Sequence, residues 1–506
     1  MPGTQTTYRE SAVSNALARN RIGAFGISMS VASSVAPLTV VAGVFATALA
    51  VTGLRGVSIA VLAIAAVMLL FVVGYMAMAR HIPNAGAFYA YVAHGIGRPV
   101  GVGASWTALA TYNCFQIGGY GGFGFIGSLV VDKLFGVTLQ WYALAVVLWA
   151  IVALLGVRQL GVSEKVLIVL VLAETILVAV YSVVIMLTDG FSFSAAPLSV
   201  NNLWGPGAGA LLVIAATAFA GIEQGAVYIE ESRDPRRTVP RATYGTIIAV
   251  AILYFFASWI MVSAGGAEVL DRAGAEGPDL FFNQAAVTLG AAAVDVGQVL
   301  FLTSMVAAAI AMHNIIARYT FALGREGVLP RLFGRTTAQG APRNASVAQS
   351  VLAIVVIFVW ALAGWDPLVQ LFFWGGTSGG LGVLLLITLT SIAVIGYFAR
   401  HSHGESAWHR FGAPIIATVL LMVIAYLALT NLPALYGVDP GTGPALVVPI
   451  AYLGIFIGGI IWGLILKSSR PLVYNGIGLG TRSAVAGSSG LSDLFDEEPG
   501  SGGSYR

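Results

Sequence analysis

The chain has 506 residues, of which 58% are hydrophobic and 9% charged, against roughly a quarter charged in soluble domains. Twenty-five basic and twenty-two acidic residues cannot cover the outside of a soluble globule of 52.5 kDa, so lipid is the expected solvent. A soluble enzyme, a nucleic-acid binder and a disordered scaffold fit poorly. The net charge of +3 carries little information until the charges are placed along the chain, and Cys114, being alone, allows neither an intrachain disulfide nor a paired-thiol metal site.

A polar lead, residues 1–21, comes first. Twelve long apolar stretches follow, numbered here as spans 1 to 12: Ile22–Leu54, Gly56–Ala79, Pro99–Val131, Leu134–Val157, Val166–Thr188, Gly190–Ile222, Ala242–Ala267, Val296–Ala317, Asn344–Trp365, Pro367–Ala399, Phe411–Val438 and Gly441–Leu466. Each reaches the roughly 20 residues that a helix needs to cross a bilayer. The shorter stretch Leu280–Val294 is expected to be amphipathic or re-entrant. Beyond 467 the sequence turns to Gly, Ser and acid, and residues 468–506 are expected to form a disordered tail.

An even span count places both termini on one side. With that alternation, twenty-two of the twenty-five Lys and Arg residues fall on the terminal side, and only Arg55, Lys133 and Arg272 fall opposite. Basic residues in short loops mark the cytosolic side, so both termini are expected in the cytosol, with the chain in an inner or plasma membrane. The six histidines all fall at or near the same helix ends and are expected to be solvated or headgroup-facing.

Two spans depart from smooth helical sequence. Span 1 carries Ser33, Ser34, Val35, Ala36 and Pro37 at its middle, and proline removes a backbone donor and crowds the preceding turn. In span 6, Gly221 and Gly225 flank Glu223 and weaken the helix. Spans 1 and 6 are five apart, so the second set of five runs inverted relative to the first. Paired interruptions at matching places in inverted halves point to a substrate site at the bilayer midplane.

Acids at that depth are few: Glu174 in span 5 and Glu223 in span 6, with Asp295 at the edge of span 8. Charge inside a bilayer is expensive and usually functional, so Glu223 is a candidate proton carrier or a clamp between spans 1 and 6, and Glu174 either a second proton group or a protonated structural donor. The Gly-rich stretch Gly118–Gly127 contains a formal G-x-G-x-x-G, but no strand precedes it. Close helix packing is the better reading. Tyr112, Asn113 and Gln116, one turn earlier, either line a cavity or bond neighbouring helices.

The block F-A-G-I-E from Phe219, followed by E-E-S-R-D-P-R-R-T-V-P-R-A at 230–242, resembles the signature of the amino acid/polyamine/organocation (APC) permeases, as do N-A-G-A-F-Y-A-Y at 84–91 and R-Y-T-F-A-L-G-R-E-G-V-L-P at 318–330. The resemblance implies an all-α integral membrane fold of about twelve helices, a LeuT-like 5+5 inverted repeat (about 22–188 and 190–399) with two further helices at about 411–467. It also implies a substrate carboxylate near Ser33–Pro37, its ammonium group near Phe219, Ala220, Gly221 and Ile222, and Phe219 as an aromatic gate. Trp374 and Ser378 in span 10 are further candidates for the lining. Span 1 lacks the glycine-rich motif common at this break, and span 5 offers Glu174 where some proton-coupled relatives carry a lysine, with Lys165 nearer the helix end. Thr303 and Ser304 are alternative hydroxyl ligands for sodium. The expected function is therefore import of an amino acid or related amine by proton symport, without cofactor or catalytic residue. An amino acid/amine antiporter and a sodium-coupled symporter are the rivals, and a channel or membrane-embedded enzyme the remote one.

Overall fold

The computed structural model describes residues 22–157, 160–203, 205, 207–337 and 340–480; the lead at 1–21, Arg158 and the tail from 481 lie outside the described residues. Among the described residues, eleven helices are long and apolar enough to cross a membrane, from Ala24–Thr52 to Gly443–Ser469. A twelfth, Trp141–Gly156, is apolar but shorter, because the residues ahead of it in the expected span 4 (Leu134–Val157) form the end of span 3, Arg98–Phe135, and a connecting loop. The helix of span 6 also starts later than expected. It begins at Ala208, and residues 196–203 form two short turns outside it, tied to the start of span 2 where the Gly56 N–H donates to the Asn202 carbonyl at 3.1 Å.

Burial sorts the helices. In span 6, Ala208–Glu231, 89% of the most apolar window is buried, against 11% in span 12, Gly443–Ser469, so span 6 is central and span 12 faces lipid along most of its length. Span 3 packs against spans 4, 8, 10 and 12. Its glycines permit this: a Cβ at Gly121 would lie 2.7 Å from the Pro367 carbonyl oxygen of span 10, closer than side chains tolerate. The stretch expected to be amphipathic or re-entrant contributes the helix Asp279–Leu289, which buries Leu280, Phe281 and Phe282.

Both described ends meet on one face. The Ile22 N–H donates to the Glu231 carbonyl at 3.2 Å, and the Gly478 N–H donates to the Glu326 carboxylate at 2.7 Å. The tail is therefore not disordered from 468 onward: Pro471–Gly476 is helical, and Glu326 also accepts from Gly480 N–H and from the Asn84 amide, at 2.8 and 2.9 Å. Two buried ion pairs lie on this same face. Arg318 bonds Glu231 at 2.6 Å with side chains 2% and 0% exposed, and Arg325 bonds Glu230 at 2.7 Å. Arg318 also donates to the Asn314 carbonyl at 3.0 Å and sits over the Tyr228 ring, while Glu230 also accepts the Ala85 N–H. The pairs cross-link spans 6 and 8 and the loop after span 2.

Removing one partner of a pair this deeply buried leaves an uncompensated charge, which costs ~3–5 kcal/mol. Arg318→Met is expected to lower the thermal unfolding midpoint of the detergent-solubilised protein sharply, and the double change Arg318→Met, Glu231→Met to recover most of the loss.

Candidate functional site

The first break is a single residue. The helix Ala24–Val35 ends where Ala36 takes a left-handed conformation (φ 51°), and the chain resumes with Pro37, which has no N–H. Two backbone groups lose their helical partners at membrane depth, where water cannot replace them. Side chains supply both. Glu174 of span 5 accepts the Leu38 N–H at 3.1 Å, and the Tyr254 hydroxyl of span 7 donates to the Val35 carbonyl at 3.4 Å. The same Glu174 oxygen also accepts the Ser304 hydroxyl of span 8, which in turn accepts from Thr39 at 3.0 Å. The other oxygen, Oε1, is buried and has no hydrogen-bond partner among the described residues. Glu174 thus joins spans 1, 5 and 8 through one of its two oxygens.

The second break is a turn. The helix Ala208–Thr217 gives way at 218–221 to a tighter helix, Ile222–Glu231. Gly221 carries the reversal at φ 113°, and an added Cβ would stand 2.7 Å from Ser34 Oγ. Here Glu223 caps its own break, accepting the Gly221 N–H at 2.9 Å on one oxygen and the Tyr112 hydroxyl at 3.1 Å on the other. The Tyr75 hydroxyl holds the Glu223 carbonyl at 3.0 Å. The expected clamp between spans 1 and 6 is therefore not Glu223, which ties span 6 to span 3. Ser34 makes the connection instead, its hydroxyl donating to the Val31 carbonyl at 2.6 Å and lying 3.3 Å from the Gly221 carbonyl.

A cavity of about 510 Å³ ends at these two breaks. Ser34, Val35 and Ala36 line it from span 1 and Ala220 from span 6; its mouth is formed by Lys133, Asp279 and Gln298, on the face opposite the ion pairs. The remaining expected lining residues lie elsewhere. Ser33, fully buried, donates to the Ser30 carbonyl, and Pro37, Gly221 and Ile222 sit behind the wall. Phe219 packs edge-on against Tyr254, 5.8 Å between ring centres, and is 1% exposed. Tyr112 is held by Glu223, and the Asn113 amide donates to the Leu109 carbonyl and accepts from Gln349. Trp374 and Ser378 bond Tyr436 of span 11. Of the hydroxyls considered for sodium, Thr303 donates to the Leu300 carbonyl at 2.9 Å and Ser304 to Glu174. Neither Glu174 nor Glu223 touches the cavity; both stand behind its floor.

Other residues escape the sequence pattern. Phe115, Thr217, Phe301 and Met305 line the cavity without any motif to mark them, whereas Gln116, singled out in the sequence, both lines it and bonds neighbouring side chains. His313 is not solvated, although its sequence position leads one to expect that: it is 1% exposed, between Gln116 of span 3 at 3.2 Å and Ser346 of span 9 at 2.7 Å. Its position at the fourth turn from the end of span 8 is the only hint in the sequence.

An all-helical membrane fold with a cavity ending at two interrupted helices defines a class of membrane carriers rather than of enzymes. The chain belongs to the amino acid permease family, whose model matches residues 20–460. Among relatives, it is similar to the branched-chain amino acid permease BcaP of Lactococcus lactis, 25% identical over 302 residues that cover 56% of this chain and 63% of the relative. The low-affinity putrescine importer PlaP of Escherichia coli is 24% identical over 59% of this chain and 67% of its own length, and the histidine permease HisP of Lactococcus lactis 25% identical over 50% and 54%. The matches thus span between about half and two thirds of those relatives.

Replacing Gly221 by Ala forces a side chain into a left-handed conformation against Ser34, a strain of about 1–3 kcal/mol. The unfolding midpoint is expected to fall. Gly245→Ala, where an added Cβ meets nothing within 4 Å, is expected to leave it unchanged or raise it. Equal effects of the two changes would remove the strain at the break from the account.

Proposed function

We propose that the protein is a secondary active transporter that imports an amino acid or related amine by proton symport, through alternating access. The observation that carries this is the cavity ending at two paired breaks, each held by a buried carboxylate. The face rich in Lys and Arg is cytosolic by the positive-inside rule, so the cavity opens outward and the ion pairs, with the docked residues 471–480, close the cytosolic side. Substrate enters past Lys133 and Asp279 and settles against Ser34–Ala36 and Ala220, where the ends of the interrupted helices present partial charges to its carboxylate and ammonium. The five-span separation of the breaks makes spans 1–5 and 6–10 inverted counterparts, with spans 11 and 12 added.

The two carboxylates divide the work. Both oxygens of Glu223 are engaged, which suits a clamp. Glu174 leaves Oε1 unpartnered, and an ionised oxygen without a donor is costly in that setting, so this is where a proton is taken up. Once neutral, Glu174 holds the Leu38 N–H and the Ser304 hydroxyl less strongly, because hydrogen bonds to a charged acceptor are about twice as strong as neutral ones. Spans 1 and 8 are then free to separate. The commitment of the Ser304 hydroxyl to Glu174 supports proton over sodium coupling.

Uptake of a labelled amino-acid and amine panel into proteoliposomes, with and without an inward acid gradient, tests the reading. Uptake of at least one compound is expected, accelerated by the gradient and indifferent to sodium. Glu174→Gln is expected to flatten the pH dependence while retaining exchange of substrate across the membrane, and Glu223→Gln to reduce rate without flattening it. Transport of no amino acid or amine would refute the assignment.

A further inference from the structure

We infer that the substrate is a neutral amino acid with an apolar side chain, and that cationic, acidic and diamine compounds are rejected at the cavity wall. The inference rests on the transport reading above and adds the substrate class. Val40, Phe115, Val213, Phe301, Met305 and Leu381 form the wall between the breaks and the mouth. They come from five different spans, so apolar surface surrounds the cavity on all sides.

The polar side chains in the wall are already engaged, and that is the stronger part of the argument. Ser34, Thr47 and Thr217 donate their hydroxyl protons to carbonyls of their own helices at 2.6, 2.8 and 2.7 Å, and Thr39 donates to Ser304. Gln116 reaches the cavity, yet its amide nitrogen is bonded to Tyr120 and lies 3.2 Å from His313, and its oxygen accepts from Gln349 at 2.7 Å. Thr377, also in the wall, has no hydrogen-bond partner among the described residues. A hydroxyl cannot neutralise a charge.

Charge in the lining is confined to Lys133 and Asp279, and Lys133 has a carboxylate partner. Lys133 bonds Asp295 at 2.8 Å and Gln298 at 3.0 Å, and Asp279 accepts from Gln298. A second ammonium or a second carboxylate on the substrate would leave water and meet no counter-charge between the mouth and the breaks. Burying such a group unpaired is strongly unfavourable. An apolar side chain loses nothing by the same transfer and gains from it. Glu174 and Glu223 do not alter this balance, because neither lines the cavity.

The test is ligand-induced thermal stabilisation of the purified full chain, followed by competition against the best ligand in proteoliposome uptake. The panel comprises leucine, isoleucine, methionine and phenylalanine against lysine, glutamate, serine and putrescine. The apolar compounds are expected to bind at least roughly tenfold more tightly than any of the others. Lysine, putrescine or glutamate matching leucine would overturn the inference while leaving transport intact. No binding or uptake of any compound would overturn the transport reading and the inference with it. Phe115→Ala is expected to weaken leucine binding by about tenfold and Phe115→Leu to restore most of it, with the unliganded unfolding midpoint as the check on folding. Unchanged leucine affinity in a folded Phe115→Ala protein would contradict the assigned wall.

Discussion

The N–H of Leu38 has no helical acceptor, and much of the site follows from how that vacancy is filled. Ala36 turns left-handed, Pro37 contributes no donor, and the first amide beyond them lies where water cannot reach. Glu174 of span 5 takes it. A carboxylate at such depth is tolerable only with donors around it, so Ser304 of span 8 is drawn in as well, with Thr39 behind it. The carbonyl left over at Val35 is met by Tyr254 of span 7. One interrupted turn thereby ties span 1 to three neighbours, and each tie is polar.

Span 6 solves the same problem differently. Its break is satisfied largely from within, by Glu223 reaching back two residues to the Gly221 N–H, with Tyr112 and Tyr75 as outside supports. The two breaks touch at Ser34 and Gly221, and the cavity ends there. On the other side of that contact the protein is closed by charge: Arg318 with Glu231, Arg325 with Glu230, and Glu326 with the N–H groups of residues 478 and 480. Buried ion pairs contribute little net stability against apolar replacements. The mouth carries the more exposed pair Lys133–Asp295, and the wall between it and the breaks is mostly phenylalanine, valine and leucine.

The sequence carried the fold further than the site. Hydropathy length locates the spans, and their ends are misplaced where apolar residues outside a helix adjoin it, as at residues 196–203 and 136–140. Pro37 and Gly221 mark the breaks because proline and glycine act through the backbone, which is local. The wall is another matter. Phe115 and Met305 face the cavity, and Phe219 does not, for reasons of helix rotation and packing that single-residue chemistry does not record. Glu230, Glu231 and Glu326 read as loop charges because each sits at a helix end; the burial comes from partners nearly a hundred or more residues distant. His313 was hidden in the same way. The short docked helix Pro471–Gly476 was lost because the composition of the whole tail outweighed its first ten residues.

The central claim is that Glu174 exchanges its hold on span 1 for a proton when substrate binds. The most direct measurement is proton uptake by the purified protein on adding its amino acid in weakly buffered detergent solution. The account predicts uptake of about one proton per bound substrate by the unmodified chain and none by Glu174→Gln at matched occupancy. Equal proton uptake by both proteins would contradict it.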